Sequence, residues 1–385
     1  MPRKICAVIT ARPSYSRIRT ALEAIRNHPD LELQIVVTAS ALLNRYGNAV
    51  DIIKREGFKV NRQVYMIVEG ENLVTSAKST GFGLAELATV FDDLKPDAVI
   101  TIADRFETMA TAVAATYMNI PLVHIQGGEI TGSIDEKVRH AITKLADIHL
   151  VSSKQAAARV IRMGERAETV YVTGCPSIDL ALEARSREPR DIAKLISNYG
   201  GVGEDVDTSN GYIVAMQHPV TTEVDQAYNH IHETLSAVNE SGLPTLWFWP
   251  NVDAGSDATS SAIRQFRERH RLRNVHFYKN MRPLDFLSLL INSRGIIGNS
   301  SVAIRECAYL GVPAVNIGNR QSGRDRGRNV VDVDYKQEAI LAAMKKIFHT
   351  TERHQDLIYG DGSAGIQIAD VLAKTELRIE KRLTY

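Results

Sequence analysis

The 385-residue chain has few of the features that mark secreted, membrane or nucleic-acid-binding proteins. Its three cysteines, Cys6, Cys175 and Cys307, lie far apart without CxxC or Cys/His metal spacing. So sparse and odd a set argues against a disulfide framework or a zinc site and for reduced thiols in a cytoplasmic protein. No run of 18 apolar residues occurs, so no membrane span is expected. The opening "MPRKICAVIT" reads as a strand rather than a signal peptide. Charge is not in surplus either: 46 Lys and Arg balance 45 Asp and Glu, leaving no global field to recruit nucleic acid or an anionic membrane. An anionic ligand must therefore be held by a local site. The first strand is not followed by G-x-G-x-x-G, and "GFGLAE" (81–86) approaches that pattern in the wrong context, which counts against a nicotinamide dinucleotide fingerprint. Walker A and G-x-S-x-G sequences are missing, as are internal repeats and low-complexity segments.

What is there is an alternation. "ICAVIT" (5–10), "LQIVVT" (33–38), "DAVITI" (97–102), "IPLVHI" (120–125), "IHLVSS" (148–153) and "TVYVTG" (169–174) read as buried strands. Helix-period stretches lie between them at 15–27, 41–55, 84–94, 106–118 and 153–164. A polar, Gly-rich stretch at 187–211 interrupts the pattern, which resumes with "YIVAMQ", "TLWFW", "VHFYK", "GIIGN" and "PAVNIG". The length exceeds what one core usually supports. Near-continuous apolar strands separated by helices imply parallel sheets. The expected fold class is α/β, with two Rossmann-like domains whose parallel sheets face a cleft. The domain junction falls near 175–210. The N-terminal domain is 1–180, completed by a C-terminal helix within 364–385, and the second domain is 181–363. The tail from about 364 to 383 reads as one helix.

Ligands of open α/β sheets bind beyond the carboxyl ends of the strands, and the polar clusters of this chain sit there: "ARPSYS", "ADRFE", "QGGE", "QHPVTTE", "PNVDAGS", "GNSSVAIRE" and "GNRQSGR". This points to a site in the cleft. The densest stretch is "HIQGGEITGSIDEKVRH" (124–140). Ser133 and Glu136 form an S-x-x-E capping box, which is a sufficient structural role for Glu136. Ile134, Val138, Ala141 and Leu145 form the buried stripe of the helix that follows. Asp135 and Arg139 are four apart at its edge; an i,i+4 ion pair would explain them, but their place beside the glycine loop favours a site role. "GNSSVAIRE" ends a strand and opens a helix, so Ser300, Ser301 and the helix N-terminus suit a diphosphate, with Glu306 placed to accept from ribose hydroxyls; simple N-capping is the competing explanation. Arg12, Arg105 and Arg320 each follow a strand and could clamp phosphate oxygens. His218 could donate to a phosphate, serve as an acid, or be a satisfied structural histidine. The histidines of "NHIHE" (229–233) are two apart on a helix and do not share a face, so no metal site is expected there. The basic run 264–273 reads as a solvated helix end.

Together "DRFE", "HIQGGEITGSIDEKVRHAITKLADIH", "TGCPSID", "QHPVTTE", "PNVDAGS" and "GNSSVAIRECAYLGVPAVNIGNRQ" resemble the hydrolysing UDP-N-acetylglucosamine 2-epimerases of sialic acid biosynthesis. The resemblance spans most of the chain and implies the glycosyltransferase-B architecture. It also implies a reaction in which UDP-GlcNAc loses UDP across C1–C2 and water adds back to give N-acetylmannosamine, without metal or redox cofactor. By motif match, Arg12, Ser16, Arg105, His218, Asn251, Ser300, Ser301, Glu306 and Arg320 would hold the nucleotide. Asp104, Gln126, Glu129, Asp135 and Arg139 would surround the sugar. A homodimer or homotetramer is implied as well, with no nucleic-acid or membrane partner. The chain departs from the family pattern twice: it reads Arg12-Pro13-Ser14-Tyr15 where R-A-D-Y is common, and Gln126 where glutamate is common. A related branch uses a 2,4-diacetamido-2,4,6-trideoxyhexose carried on UDP or GDP. A glycosyltransferase of the same fold and a non-catalytic nucleotide-sugar sensor are the alternatives; the crowded carboxylates disfavour the sensor.

Overall fold

The computed structural model describes residues 1–44, 47–70, 72–102, 105–130, 134–188, 190–220, 223–250, 256–270, 272–350 and 352–384. The chain divides into two compact units, one comprising Met1–Glu129, Ile134–Asp179 and Tyr359–Tyr385, the other Ile130–Ser133 and Leu180–Ile358.

In the first unit the strands are β1 Arg3–Ile9, β2 Leu31–Thr38, β3 Arg62–Val64, β4 Ala98–Ile102, β5 Leu122–Ile125, β6 Ile148–Val151 and β7 Val170–Val172. They form a parallel sheet in the order β3-β2-β1-β4-β5-β6-β7. Along β1, Ile5, Ala7 and Ile9 pack into one apolar cluster while Cys6 and Val8 pack into another. Both faces are therefore dry along β1, as they are throughout β4, β5 and β6, which is why these central strands read as continuous apolar runs rather than alternating ones. The connecting helices are α1 Arg12–Asn27, α2 Ala49–Arg55, α3 Leu73–Leu94, α4 Thr108–Tyr117, α5 Ile134–Leu145, α6 Lys154–Arg162 and α7 Pro176–Ser186.

Two helical expectations change. The segment 41–55 is a 3-10 turn at Ala39–Leu42 and then α2, because Gly47 and Asn48 adopt positive φ between them. α3 starts well before residue 84: the Asn72 side chain accepts from the Thr75 amide, and Thr75 returns the bond to the Asn72 amide, forming a capping box.

The second unit holds α8 Ile192–Ser197, β8 Gly201–Gly203, β9 Ile213–Met216, α9 Ala227–Ser241, β10 Thr245–Phe248, α10 Ser256–Arg269, β11 Val275–Tyr278, α11 Pro283–Asn292, β12 Gly295–Gly298, α12 Glu306–Leu310, β13 Ala314–Ile317, β14 Val330–Val333 and α13 Gln337–Ile347. Its sheet runs β14-β13-β12-β9-β10-β11-β8, parallel apart from the edge strand β8. Strand order reverses between β1 and β4 in one sheet and between β9 and β12 in the other, creating a switch point in each.

The last helix, α14 Ala364–Lys374, belongs to the first unit. Asp179 caps it from a distance, its carboxylate accepting from the amides of Ala364 (2.9 Å) and Gly365 (2.7 Å) and from the Thr20 hydroxyl (2.8 Å). The helix ends at Lys374 rather than near 383, and the remainder runs as an extended strap. Lys381 holds that strap. Its Nζ bonds Glu165 (2.6 Å) and donates to the carbonyls of Thr143 and Ala146, while the Thr384 amide reaches the Gly164 carbonyl at 3.2 Å. Glu165 also pairs with Lys144 and with His149 Nε2 at 3.0 Å.

Burial alone would raise the pKa of Glu165, but the hydrogen bonds from His149, Lys144 and Lys381 outweigh it and hold the carboxyl at about 2. Burial pulls His149 below its usual value against the opposing bond from Glu165. Both folded pKa values lie below the unfolded ones, so both groups contribute stability that is present at neutral pH and lost on acidification. His149 begins to withdraw it below about pH 6.5, and Glu165 between about 4.5 and about 2. Glu165→Gln is expected to lower stability at pH 7 by about 2 kcal/mol, below the usual cost of breaking a buried pair because both lysines are partly hydrated. It should also flatten the stability–pH curve below about 4.5. Urea denaturation across pH checks both; an unchanged acid limb contradicts the assignment.

Candidate functional site

At the end of β5 the Gln126 amide still pairs with the Leu150 carbonyl (2.9 Å), and then the chain turns sharply. Gln126 lies at φ +66° and Gly128 at φ +73°. A Cβ on Gly128 would sit 2.4 Å from the Ala156 carbonyl oxygen, so only glycine lets α6 approach the turn. Arg159 donates to the Gly128 carbonyl at 3.2 Å. The turn delivers Glu129 into the protein, 6% exposed, where its Oε1 accepts from the Ser152 hydroxyl at 2.6 Å. Arg139, 2% exposed on α5, donates to the Glu129 carbonyl at 3.0 Å. Beneath it, Thr143 bonds the Arg139 carbonyl and His124 Nδ1, tying α5 to β5. The Gln126 side-chain amide donates to Cys175 Sγ at 3.1 Å. Three expected residues, Gln126, Glu129 and Arg139, thus share one buried neighbourhood.

The partners expected for them are placed less fully. Asp104, Ser133 and Asn251 lie outside the described residues, and so does the Asp135 side chain, leaving the Asp135–Arg139 pair and the Ser133–Glu136 box without description. Glu136 is described against His140 Nε2 at 3.3 Å. Arg12 opens α1 beside Pro13, with Ser16 one turn on, both half-buried; burial lowers the Arg12 pKa, but a guanidinium stays charged at neutral pH. Arg105 bonds Glu107 at 2.8 Å, and Glu107 is 1% exposed with its Oε2 unpartnered among the described residues.

In the second unit the switch point is stitched by Asn299. Its Oδ1 accepts from the His218 amide (2.7 Å) and its Nδ2 donates to the His218 carbonyl (2.8 Å), joining the exits of β9 and β12. Gly298, at φ +130°, lies so close to the Met216 carbonyl that a Cβ would come within 2.0 Å of it. The Asn299 carbonyl accepts from Arg320 (3.2 Å) and Gln321 (2.9 Å). Next to it, Ser300 accepts from the Val302 amide at 3.4 Å and Ser301 from the buried Arg305 at 2.9 Å, leaving both hydroxyl protons able to donate. Glu306 is buried, with Oε2 unpartnered among the described residues. The helix expected to open here begins as a 3-10 turn, Ser301–Ala303, followed by the five-residue α12. Hydroxyls and arginine, not a strong helix dipole, are what this end offers an anion.

Burial and then the charge of Arg320 lower the His218 pKa to about 3. At neutral pH the ring is uncharged in this environment, where it stands as a neutral hydrogen-bonding group.

Residues 23–373 match the family described as UDP-N-acetylglucosamine 2-epimerase. The chain belongs to that family. It is 33% identical over 362 residues to the UDP-N,N'-diacetylbacillosamine 2-epimerase (hydrolyzing) of Legionella pneumophila, covering 94% of this chain and 93% of that protein. It is 29% identical to a UDP-N-acetylglucosamine 2-epimerase of Neisseria meningitidis, over 89% of this chain and 87% of that one. Among solved structures, the UDP-GlcNAc 2-epimerase from Neisseria meningitidis bound to UDP-GlcNAc superposes with a TM-score of 0.80 at 16% identity, over 97% of this chain and 100% of that one. The α/β class with two parallel-sheet domains, of glycosyltransferase-B-like fold, is thereby established.

Several residues that bond or adjoin these candidates were not singled out by the sequence reading: Ser152, Cys175, Asn299, Arg305 and Gln321. Ser152 and Asn299 each come directly after a strand, a signal that was available but was spent on their more reactive neighbours. The His218 environment is testable by itself. Histidine NMR of the folded protein should find the His218 ring uncharged down to about pH 5, since its folded pKa lies far below the ordinary 6.5; titration above about pH 6 contradicts the burial described.

Proposed function

We propose that this epimerase-family chain is a hydrolysing 2-epimerase converting UDP-N-acetylglucosamine to N-acetylmannosamine and UDP. The observation that carries the reading is the turn after β5, which buries Glu129 against Ser152 and Arg139 beside the Gln126 amide. The chemistry needs a base for the C2 proton, stabilisation of the departing diphosphate, and proton delivery during hydration. The C2 proton passes to a carboxylate as the C1–O bond breaks and UDP leaves with the bonding pair, giving 2-acetamidoglucal. Water then supplies hydroxyl to C1, and a proton is returned to C2 on the opposite face. In this assignment Asp104, Glu129 and Asp135 exchange protons, Arg139 holds the Glu129 turn, and Gln126, which cannot ionise, hydrogen-bonds the sugar. Arg12, Ser16, Arg105, His218, Asn251, Ser300, Ser301, Glu306 and Arg320 hold the nucleotide.

A second reading keeps the reaction and changes the sugar to a 2,4-diacetamido-2,4,6-trideoxyhexose on UDP or GDP. The name of the Legionella relative favours it. Three buried cysteines that form no disulfide support placing the chain in the cytoplasm, and no helix among the described residues is long and apolar enough to cross a membrane. The homodimer or homotetramer is carried as part of the proposal; exposed Val74 and Phe82 on α3 and Tyr117 on α4 offer surface for it.

Incubation with UDP-GlcNAc in D₂O, followed by NMR, is expected to yield free UDP and N-acetylmannosamine deuterated at C2. UDP release that requires an acceptor would indicate a glycosyltransferase, and an unconsumed nucleotide a sensor. Asp104→Asn and Glu129→Gln should each lower turnover by ~10²–10⁴ with UDP binding retained; normal turnover in both refutes their roles. Replacing Ser300 and Ser301 together by alanine should weaken UDP binding by roughly 1.5–3 kcal/mol per lost charge-assisted bond. Calorimetry showing unchanged affinity in the folded double variant refutes that phosphate assignment.

A further inference from the structure

The Gln126 amide is anchored by a group to which the proposed reaction gives no task. Gln126 is 3% exposed and occupies the left-handed region, where a non-glycine residue persists only if its surroundings over-determine it. Its Nε2 donates to Cys175 Sγ at 3.1 Å, and that sulfur lies 3.1 Å from the Ser177 hydroxyl. Cys175 is fully buried, and its own amide bonds the Tyr359 carbonyl at 2.8 Å, which fixes the sulfur relative to a distant part of the chain. Sulfur accepts weakly and an S–H donates weakly. An amide N–H can use such a partner, whereas a carboxylate in the same position would find only weak donation from it. Among the described residues the Gln126 side chain bonds through Nε2, and that bond leaves Oε1 unengaged.

We propose that Cys175, backed by Ser177, is a positioning residue for sugar recognition. By taking the N–H end of Gln126, it leaves the carbonyl oxygen as the end offered to substrate, where it accepts from a sugar hydroxyl or acetamido N–H. The inference rests on the sugar-nucleotide reading above and adds a residue and a direction to it. Gln126 then discriminates by hydrogen-bond polarity and does not titrate. Cys175 acts on the substrate only through that amide.

The test is a double-mutant cycle with a rescue variant, measured on whichever of UDP-GlcNAc and the UDP-linked 2,4-diacetamido sugar the wild type converts. Cys175→Ala should lower kcat/KM roughly tenfold, the scale of one oriented hydrogen bond, while calorimetric affinity for UDP alone stays within about twofold. Cys175→Ser, whose hydroxyl still accepts, should recover most of the loss. Gln126→Ala should cost at least as much as Cys175→Ala, and combining the two should cost nothing more. Ser177→Ala provides a milder second probe if Cys175→Ala folds poorly: its smaller loss should vanish in the Gln126→Ala background. Additive losses, equal losses in Cys175→Ala and Cys175→Ser, or a parallel loss of UDP affinity would overturn the proposal while the epimerase reading stands. A wild-type protein that binds UDP but neither binds nor converts either sugar nucleotide overturns that reading and this proposal with it.

Discussion

Parallel strands buried on both faces leave a protein almost nowhere inside to put a polar side chain except at strand ends. That constraint organises both units. β1 sends alternate residues into two separate apolar clusters, and Ile296 and Ile297 on β12 are likewise buried. The residues just past several strands are where the candidate chemistry gathers. Gln126 follows β5, Ser152 follows β6, His218 comes two residues past β9, and Asn299 follows β12. In the second unit strand order reverses between β9 and β12, and there the Asn299 side chain joins the two strand exits by two hydrogen bonds to the His218 backbone.

The opposite ends of the strands carry a different kind of polarity. Just before β6, Asp147 accepts from the Leu122 amide, and Lys144 and Lys381 converge with His149 on Glu165. These ionised groups neutralise one another and fasten the C-terminal strap. At the carboxyl ends the arrangement is less self-contained: among the described residues, oxygens of Glu107 and Glu306 are buried without a partner. A buried acceptor with no partner is costly to stability, and Glu306 is one of the residues proposed to hold the nucleotide.

Much of this was legible in the chain. Each run read as a strand contains one, and β4, β5 and β6 are buried throughout, but β7, expected as buried from "TVYVTG", is a half-buried edge strand. The other three edge strands were not legible: β8 is "GVG" and wholly exposed, β3 buries only Val64, and β14 is half-buried throughout. These three are defined by their neighbours' hydrogen bonds and carry little apolar signal of their own. α3 and the final helix were misjudged at their ends for a related reason: their limits depend on the Asn72–Thr75 box and on Lys381 bonding a distant glutamate.

For the candidate site, sequence by itself determined which residue types crowd the strand ends, that glycines let the chain turn at 127–128, and which family the motifs resemble. Those are local properties, set by composition and by offsets of a few residues. Only the tertiary structure decided what each polar group faces. It turned Glu129 toward Ser152, gave the Gln126 amide to Cys175, and buried His218 beside Arg320 until its ring could not hold a proton at neutral pH. Orientation, burial and charge state arise from neighbours that are 23, 49 and 102 residues away in these three cases. No pattern of spacing along the chain encodes which distant side chain a buried group will meet, so packing alone settles it.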